Sequence, residues 1–133
     1  MYDKLLEELK KDEDFIGMPY DDNLGIPTIG YGTKLPLDKT EATLLLEKRF
    51  NDTLIEVKNN VSFFDELAED AQEVILNMSY NMGVPRIMKF KKMFAALEEE
   101  DYKEASKEMI NSKWYYQVGN RAKRLVEKMS KAS

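Results

Sequence analysis

The chain has 133 residues, 43% of them hydrophobic, which suits one domain, or two small lobes, built around a buried core. It contains no His and no Cys, which excludes Ser–His–Asp triads, His general bases, thiol nucleophiles, disulfides and His- or thiolate-ligated metals. A net charge of −5 argues against nucleic acid as a partner and disfavours long-range steering toward an anionic polymer, although salt screens such steering beyond about 8 Å.

Tyr2, Leu5, Leu6 and Leu9 follow the i, i+3, i+4, i+7 spacing of an amphipathic helix, predicted from about Asp3 to Asp12. Phe15 to Thr33 reads differently. Gly17, Pro19, Asn23, Gly25, Pro27, Gly30 and Gly32 break helical periodicity, while Thr28-Ile29 and Tyr31 favour extended backbone. A hairpin or three-stranded ribbon is expected, turning at Asn23-Leu24-Gly25. Asp38 and Glu41 have capping-box spacing and open a long helix running to about Asn59. Such a helix can join a small strand region to an all-helical remainder.

The remainder is predicted to be helical. One helix begins at Asp70 and stops at Gly83. A second carries Phe90, Met93, Phe94 and Leu97, and a third is capped by Asp101. The last runs from Asn120 to about Lys131. The acidic run Glu98–Asp101 reads as a solvated helix end followed by a turn, and the eight Met as core filler. The fold class is therefore α+β, mostly α, with strands segregated near the N-terminus. No stretch reaches the roughly 20 apolar residues of a membrane span. The N-terminal residues lack the plan of a signal peptide, so synthesis in a cytosol, without membrane insertion, is expected.

With His and Cys absent, Asp, Glu, Lys and Tyr remain as proton carriers. Glu13 closes the first helical segment, Asp22 follows in the turn-rich segment, and Thr28 lies in the strand after it. Two carboxyls in different local environments are the equipment for acid–base cleavage of a glycosidic bond. Packing of Glu13 against Phe15, Ile16 and Met18 would raise its pKa and keep its proton available. Each residue also has a plainer reading. Glu13 is one of 25 acidic residues in a solvated patch, Asp22 bonds its own turn, and Thr28 is a good strand residue. Trp114 is read as core rather than a sugar platform. Arg121 at a helix start is an unfavourable place for a cation without a specific partner.

Three blocks carry a resemblance. The segment Asp12-Glu13 … Tyr20-Asp21-Asp22 … Gly25 … Thr28-Ile29-Gly30-Tyr31-Gly32 resembles the active-site segment of phage-type lysozymes, the endolysins of T-even bacteriophages and their relatives. Asn77-Met78-Ser79-Tyr80-Asn81-Met82-Gly83 is similar to the family's mid-chain helix end. Trp114-Tyr115-Tyr116-Gln117 with Asn120-Arg121-Ala122-Lys123-Arg124 resembles its C-terminal motif. The blocks come in family order.

The resemblance implies a lysozyme-like fold of two lobes within one domain spanning 1–133. Residues of about 12–60 would form the N-terminal lobe and linking helix, and residues 1–11 and 61–133 the helical lobe. It implies hydrolysis of the β-1,4 bond between N-acetylmuramic acid and N-acetylglucosamine in peptidoglycan, with inversion, for host lysis. Glu13 is the implied acid, Asp22 the second carboxylate and Thr28 the active-site threonine. Tyr20, Gly30, Asn81, Gln117 and Arg121 are implied substrate-binding or supporting residues, with Arg121 beside the catalytic acid. No metal or cofactor is implied. The implied partners are peptidoglycan glycan strands and a holin-type release partner, for a monomer held in the host cytoplasm before release. The sequence departs from the family at Thr33, where its best-known member has His, at Asn81 in place of Gln, and in a shortened segment between Gly32 and Asp38. The rival readings are a lytic transglycosylase, which has no water to position, and a non-enzymatic wall-glycan-binding module.

Overall fold

The computed structural model describes all 133 residues, Met1–Ser133. The fold is α+β and mostly helical, with one small antiparallel sheet and eight α-helices. The chain divides into two compact units, Met1–Leu45 and Leu46–Ser133.

The first unit holds α1 (Asp3–Glu13) and the strands β1 (Ile16–Asp21), β2 (Pro27–Gly30) and β3 (Thr33–Lys34), in the order β1-β2-β3. α1 ends where Asp14 takes φ +59°, its amide donating to the Lys10 carbonyl. With ψ 157° this conformation lies outside the left-handed helical basin that Asp tolerates, so the backbone is strained there. β1 is an edge strand, which is where Pro19 can sit without removing a ladder hydrogen bond. The β1–β2 register is irregular between Ile16 and Tyr20, then pairs Tyr20 with Thr28 and Asp21 with Pro27. On the other side of β2, Thr28 pairs with Lys34. The hairpin turn falls at the expected residues, with Gly25 at φ +79° donating its amide to the Asp22 carbonyl.

α2 (Lys39–Asn60) starts as its capping box predicts. The Glu41 amide donates to Asp38 Oδ1, and the Asp38 amide donates to Glu41 Oε1. This helix runs through the division between the units.

The second unit contains a 3₁₀ turn (Phe64–Glu66), α3 (Glu69–Met82), α4 (Val84–Ile87), α5 (Lys91–Glu98), α6 (Tyr102–Ile110), α7 (Lys113–Val118) and α8 (Asn120–Ser130). Its core includes Val74, Ile75, Ile87 and Leu97, together with Met78, Met93, Met109 and Met129, all fully buried. Half of the eight Met therefore fill this core, while Met1 and Met18 are exposed. Asp101 caps α6 by accepting from the Glu104 amide at 3.1 Å, so the acidic run is the helix end and turn that the sequence indicated. α3 begins one residue before Asp70, and Asp70 makes no capping bond there. Periodicity did not indicate α4 and α7. One is a single turn entered through Pro85, and the other is six residues capped by Ser112, too short to repeat an apolar face.

Candidate active site

Glu13 is the last residue of α1. The chain turns at Asp14, whose carboxylate accepts from the Phe15 amide, and the Phe15 ring then lies against Tyr31 with centroids 5.5 Å apart. This contact brings the end of α1 to the second turn of the sheet, where Gly32 stands at φ +72°. A Cβ on Gly32 would lie 2.3 Å from Glu13 Oε2. The carboxyl of Glu13 thus rests on a backbone surface that only glycine leaves open. Phe15 and Met18 do not cover it, for both are exposed, as is Glu13 itself. The expectation of an apolar cover from these neighbours does not hold, because Phe15 is used against Tyr31.

Gly32→Ala is expected to displace the Glu13 carboxyl, which as the end of a flexible side chain yields more easily than the backbone. The left-handed φ adds a penalty of about 1–2 kcal/mol, read by urea denaturation. Unchanged stability would mean that the turn relaxes and that Gly32 is not required by its conformation.

Asp22 is held far more firmly. The Leu24 and Ile26 amides both donate to its Oδ1 at 2.8 Å. Lys34 Nζ donates to its Oδ2 at 2.7 Å. The Asp22 amide in turn donates to the Ile26 carbonyl. Three donors on one carboxylate favour the anion. The Lys34 hydrogen bond is the largest cause, followed by the Ile26 amide, and together with the smaller contributions they lower the pKa to about 2. Asp22 is therefore ionised at neutral pH and cannot serve there as a proton donor. Linkage gives the sign for stability. The folded pKa lies below the usual 3.8, so this contribution is complete above about 3.8 and is lost as pH falls through about 2.

Thr28 is fully buried in the central strand, and its Oγ1 donates to the Ile26 carbonyl at 2.8 Å. Its hydroxyl proton is committed, leaving lone pairs as its free polar capacity. The same bond steadies Ile26, which carries two of the links to Asp22. Tyr20 is half-buried on β1 opposite Thr28, and Gly30 stands opposite Ile16. The first unit thus holds Glu13 at the end of α1, Tyr20, Thr28 and Gly30 in its strands, and Asp22 at the turn between β1 and β2.

Asn81, Gln117 and Arg121 belong to the second unit. Asn81 Oδ1 accepts from Trp114 Nε1 at 3.1 Å. Gln117 is exposed on α7. Arg121, in the first turn of α8, donates from Nε to Oδ1 of Asn77 on α3 at 2.9 Å. Both line a depression of about 370 Å³ with Leu46, Phe50 and Tyr80. Trp114 is 7% exposed and meets Phe90 edge-on at 6.5 Å, which makes it core.

Two residues were not counted among the site residues from the sequence, Gly32 and Lys34. The Gly-x-Gly turn signals close backbone approach but does not say what approaches. Lys34 becomes visible only once β3 is placed in register beside Thr28. No cluster of three or more His, Cys, Asp or Glu is arranged to hold a metal ion. No helix is long and apolar enough to cross a membrane.

Comparison with known proteins adds four likenesses. The sequence profile of the phage lysozyme family matches residues 10–131. A Dictyostelium discoideum protein described as "Probable T4-type lysozyme 1" is 30% identical over 68% of this chain and 55% of its own length. Its counterpart, "Probable T4-type lysozyme 2", is 27% identical over 74% of the chain and 63% of its own length. The pre-baseplate central spike protein Gp5 of Enterobacteria phage T4 is 27% identical over 91% of the chain, corresponding to 26% of that protein. The chain thus spans about half to two thirds of the two slime-mould relatives and a quarter of the spike protein.

Proposed function

Because this chain belongs to the phage lysozyme family, we propose that it is a peptidoglycan hydrolase cleaving the β-1,4 bond between N-acetylmuramic acid and N-acetylglucosamine. The observation that carries this reading is the unequal pair of carboxyls in the first unit. Asp22 is a pinned anion under three donors, while Glu13 stands against Gly32 with no such set of donors. An acid and a base acting in one step must differ in this way. Glu13 gives its proton to the glycosidic oxygen as the bond to the anomeric carbon breaks. A water held on Asp22 attacks that carbon from the opposite face and yields its proton to the carboxylate. Inversion follows, and the carboxyls of such an enzyme stand roughly 6.5–9.5 Å apart to admit the water. Thr28 supports Asp22 through Ile26. Tyr20 and Gly30 are the supporting residues proposed in the first unit, and Asn81, Gln117 and Arg121 the substrate-binding or supporting residues proposed in the second.

The biological setting proposed is host lysis. The protein acts as a monomer without a cofactor on wall glycan strands, after release from the host cytoplasm by a holin-type partner. Digestion of a defined glycan oligosaccharide, followed by mass analysis and NMR, tests the reading. The expected product is a reducing sugar formed by addition of water, appearing first as the inverted anomer. An initially retained anomer would assign Asp22 to nucleophilic attack. An anhydro-sugar would identify a lytic transglycosylase, and binding without cleavage a wall-glycan module.

A further inference from the structure

The Asp22 carboxylate has about four acceptor positions, two on each oxygen. Both positions on Oδ1 are taken by backbone amides, from Leu24 and Ile26. Lys34 takes one of the two on Oδ2. We propose that Lys34 is a positioning residue for the hydrolytic step, leaving Asp22 one acceptor position, on Oδ2 beside the ammonium, at which the attacking water is held. This rests on the hydrolase reading above.

The fold builds this contact deliberately. β3 pairs with β2 so that Lys34 stands opposite Thr28. The Leu35 amide continues the pairing by donating to the Pro27 carbonyl. The Asp22 side chain is 16% exposed and that of Lys34 52%, so the carboxylate is largely enclosed while the ammonium reaches it from the solvent side. The other ionisable groups acting on that ammonium are Glu13, from the end of α1, and Tyr20, from β1. Lys34 therefore lies within the electrostatic reach of both carboxyls while bonding only one.

An ammonium has three N–H donors. One is used on Oδ2, leaving others that can donate to a water oxygen alongside. The water then has its hydrogen on Oδ2 and its remaining lone pair free for the anomeric carbon. As the new C–O bond forms, the glycosidic C–O bond breaks, Glu13 protonates the leaving oxygen, and the water's proton passes to Oδ2. A carboxylate kept at low pKa is a weak base, so its main service is orientation, and proton uptake follows as the water becomes acidic on bonding to carbon.

The test uses the full chain and compares wild type with Lys34→Met and Lys34→Arg on a soluble glycan oligosaccharide. A lost orientation of this kind costs about 10²-fold, so Lys34→Met should lower kcat by that order with little change in KM. The acid limb of its pH profile should move to higher pH as the Asp22 pKa rises from about 2 toward 3.8. Lys34→Arg retains the cation and should return the limb toward its wild-type position. Carbon-13 NMR titration of the Asp22 carboxyl in Lys34→Met should show the same upward movement. An unmoved acid limb and an unmoved Asp22 titration in a folded variant, with an active wild type, would overturn the role of Lys34 alone. A wild type that binds glycan without cleaving it would instead overturn the hydrolase reading. Lys34→Gln, closer in polarity to the original, replaces Lys34→Met if that variant does not fold.

Discussion

Glu13→Gln is expected to lower glycan cleavage by about 10²–10⁴-fold, the usual contribution of a general acid, while leaving the circular dichroism spectrum unchanged. The substitution keeps the size and shape of the side chain on Gly32 and removes only the proton to be transferred. Glu13 is exposed at a helix end, so stability should change by no more than about 0.5 kcal/mol. Gly32→Ala provides a companion measurement, because it moves the same carboxyl without altering its chemistry. Both variants should lose kcat, but only Gly32→Ala should also lose stability. Near-normal turnover by a folded Glu13→Gln protein would remove Glu13 from the mechanism and leave Asp22 without an acid partner.

The largest loss of stability is expected at Trp114. Its ring is buried against Phe90, and its indole N–H is the donor to Asn81 Oδ1. Trp114→Ala removes the ring and leaves a cavity that the surrounding helices close only in part, at a cost of about 3–5 kcal/mol. Trp114→Phe retains most of the apolar volume but leaves Asn81 without its donor, and should cost on the order of 1–3 kcal/mol. Urea denaturation orders the two. If Trp114→Phe were as stable as wild type but bound glycan far more weakly, the ring would belong to the sugar site and not to the core.

Asp22 and Lys34 define a different kind of dependence. Their bond is local to the first unit and concerns pH more than folding. An ion pair at a partly exposed site adds little net stability, yet it selects the protonation state of the group on which the chemistry turns. The outcome of Lys34→Met is accordingly expected in the pH profile first.

Local chemistry in the sequence determined much of this protein. The Asp38–Glu41 capping box, the turn at Asn23-Leu24-Gly25, the Asp101 cap and the absence of His and Cys are each properties of a few neighbouring residues, and each could be read without the fold. The strand segment and the long helix after it follow from the same short-range rules, and the α+β class follows from their order. The candidate carboxyls were legible as residues because the motif around them is continuous in the chain. What each one touches was not legible. That Glu13 lies on Gly32, nineteen positions on (32 − 13), depends on the Phe15–Tyr31 contact. That Lys34 bonds Asp22 depends on the register of β3 beside β2. That Arg121 bonds Asn77 was decided by the packing of α8 on α3. Periodicity reports which residues face a core, and the turn itself supplies two of the donors on Asp22, the Leu24 and Ile26 amides, whereas the third and charged donor, Lys34, reaches it only because folding sets β3 beside β2.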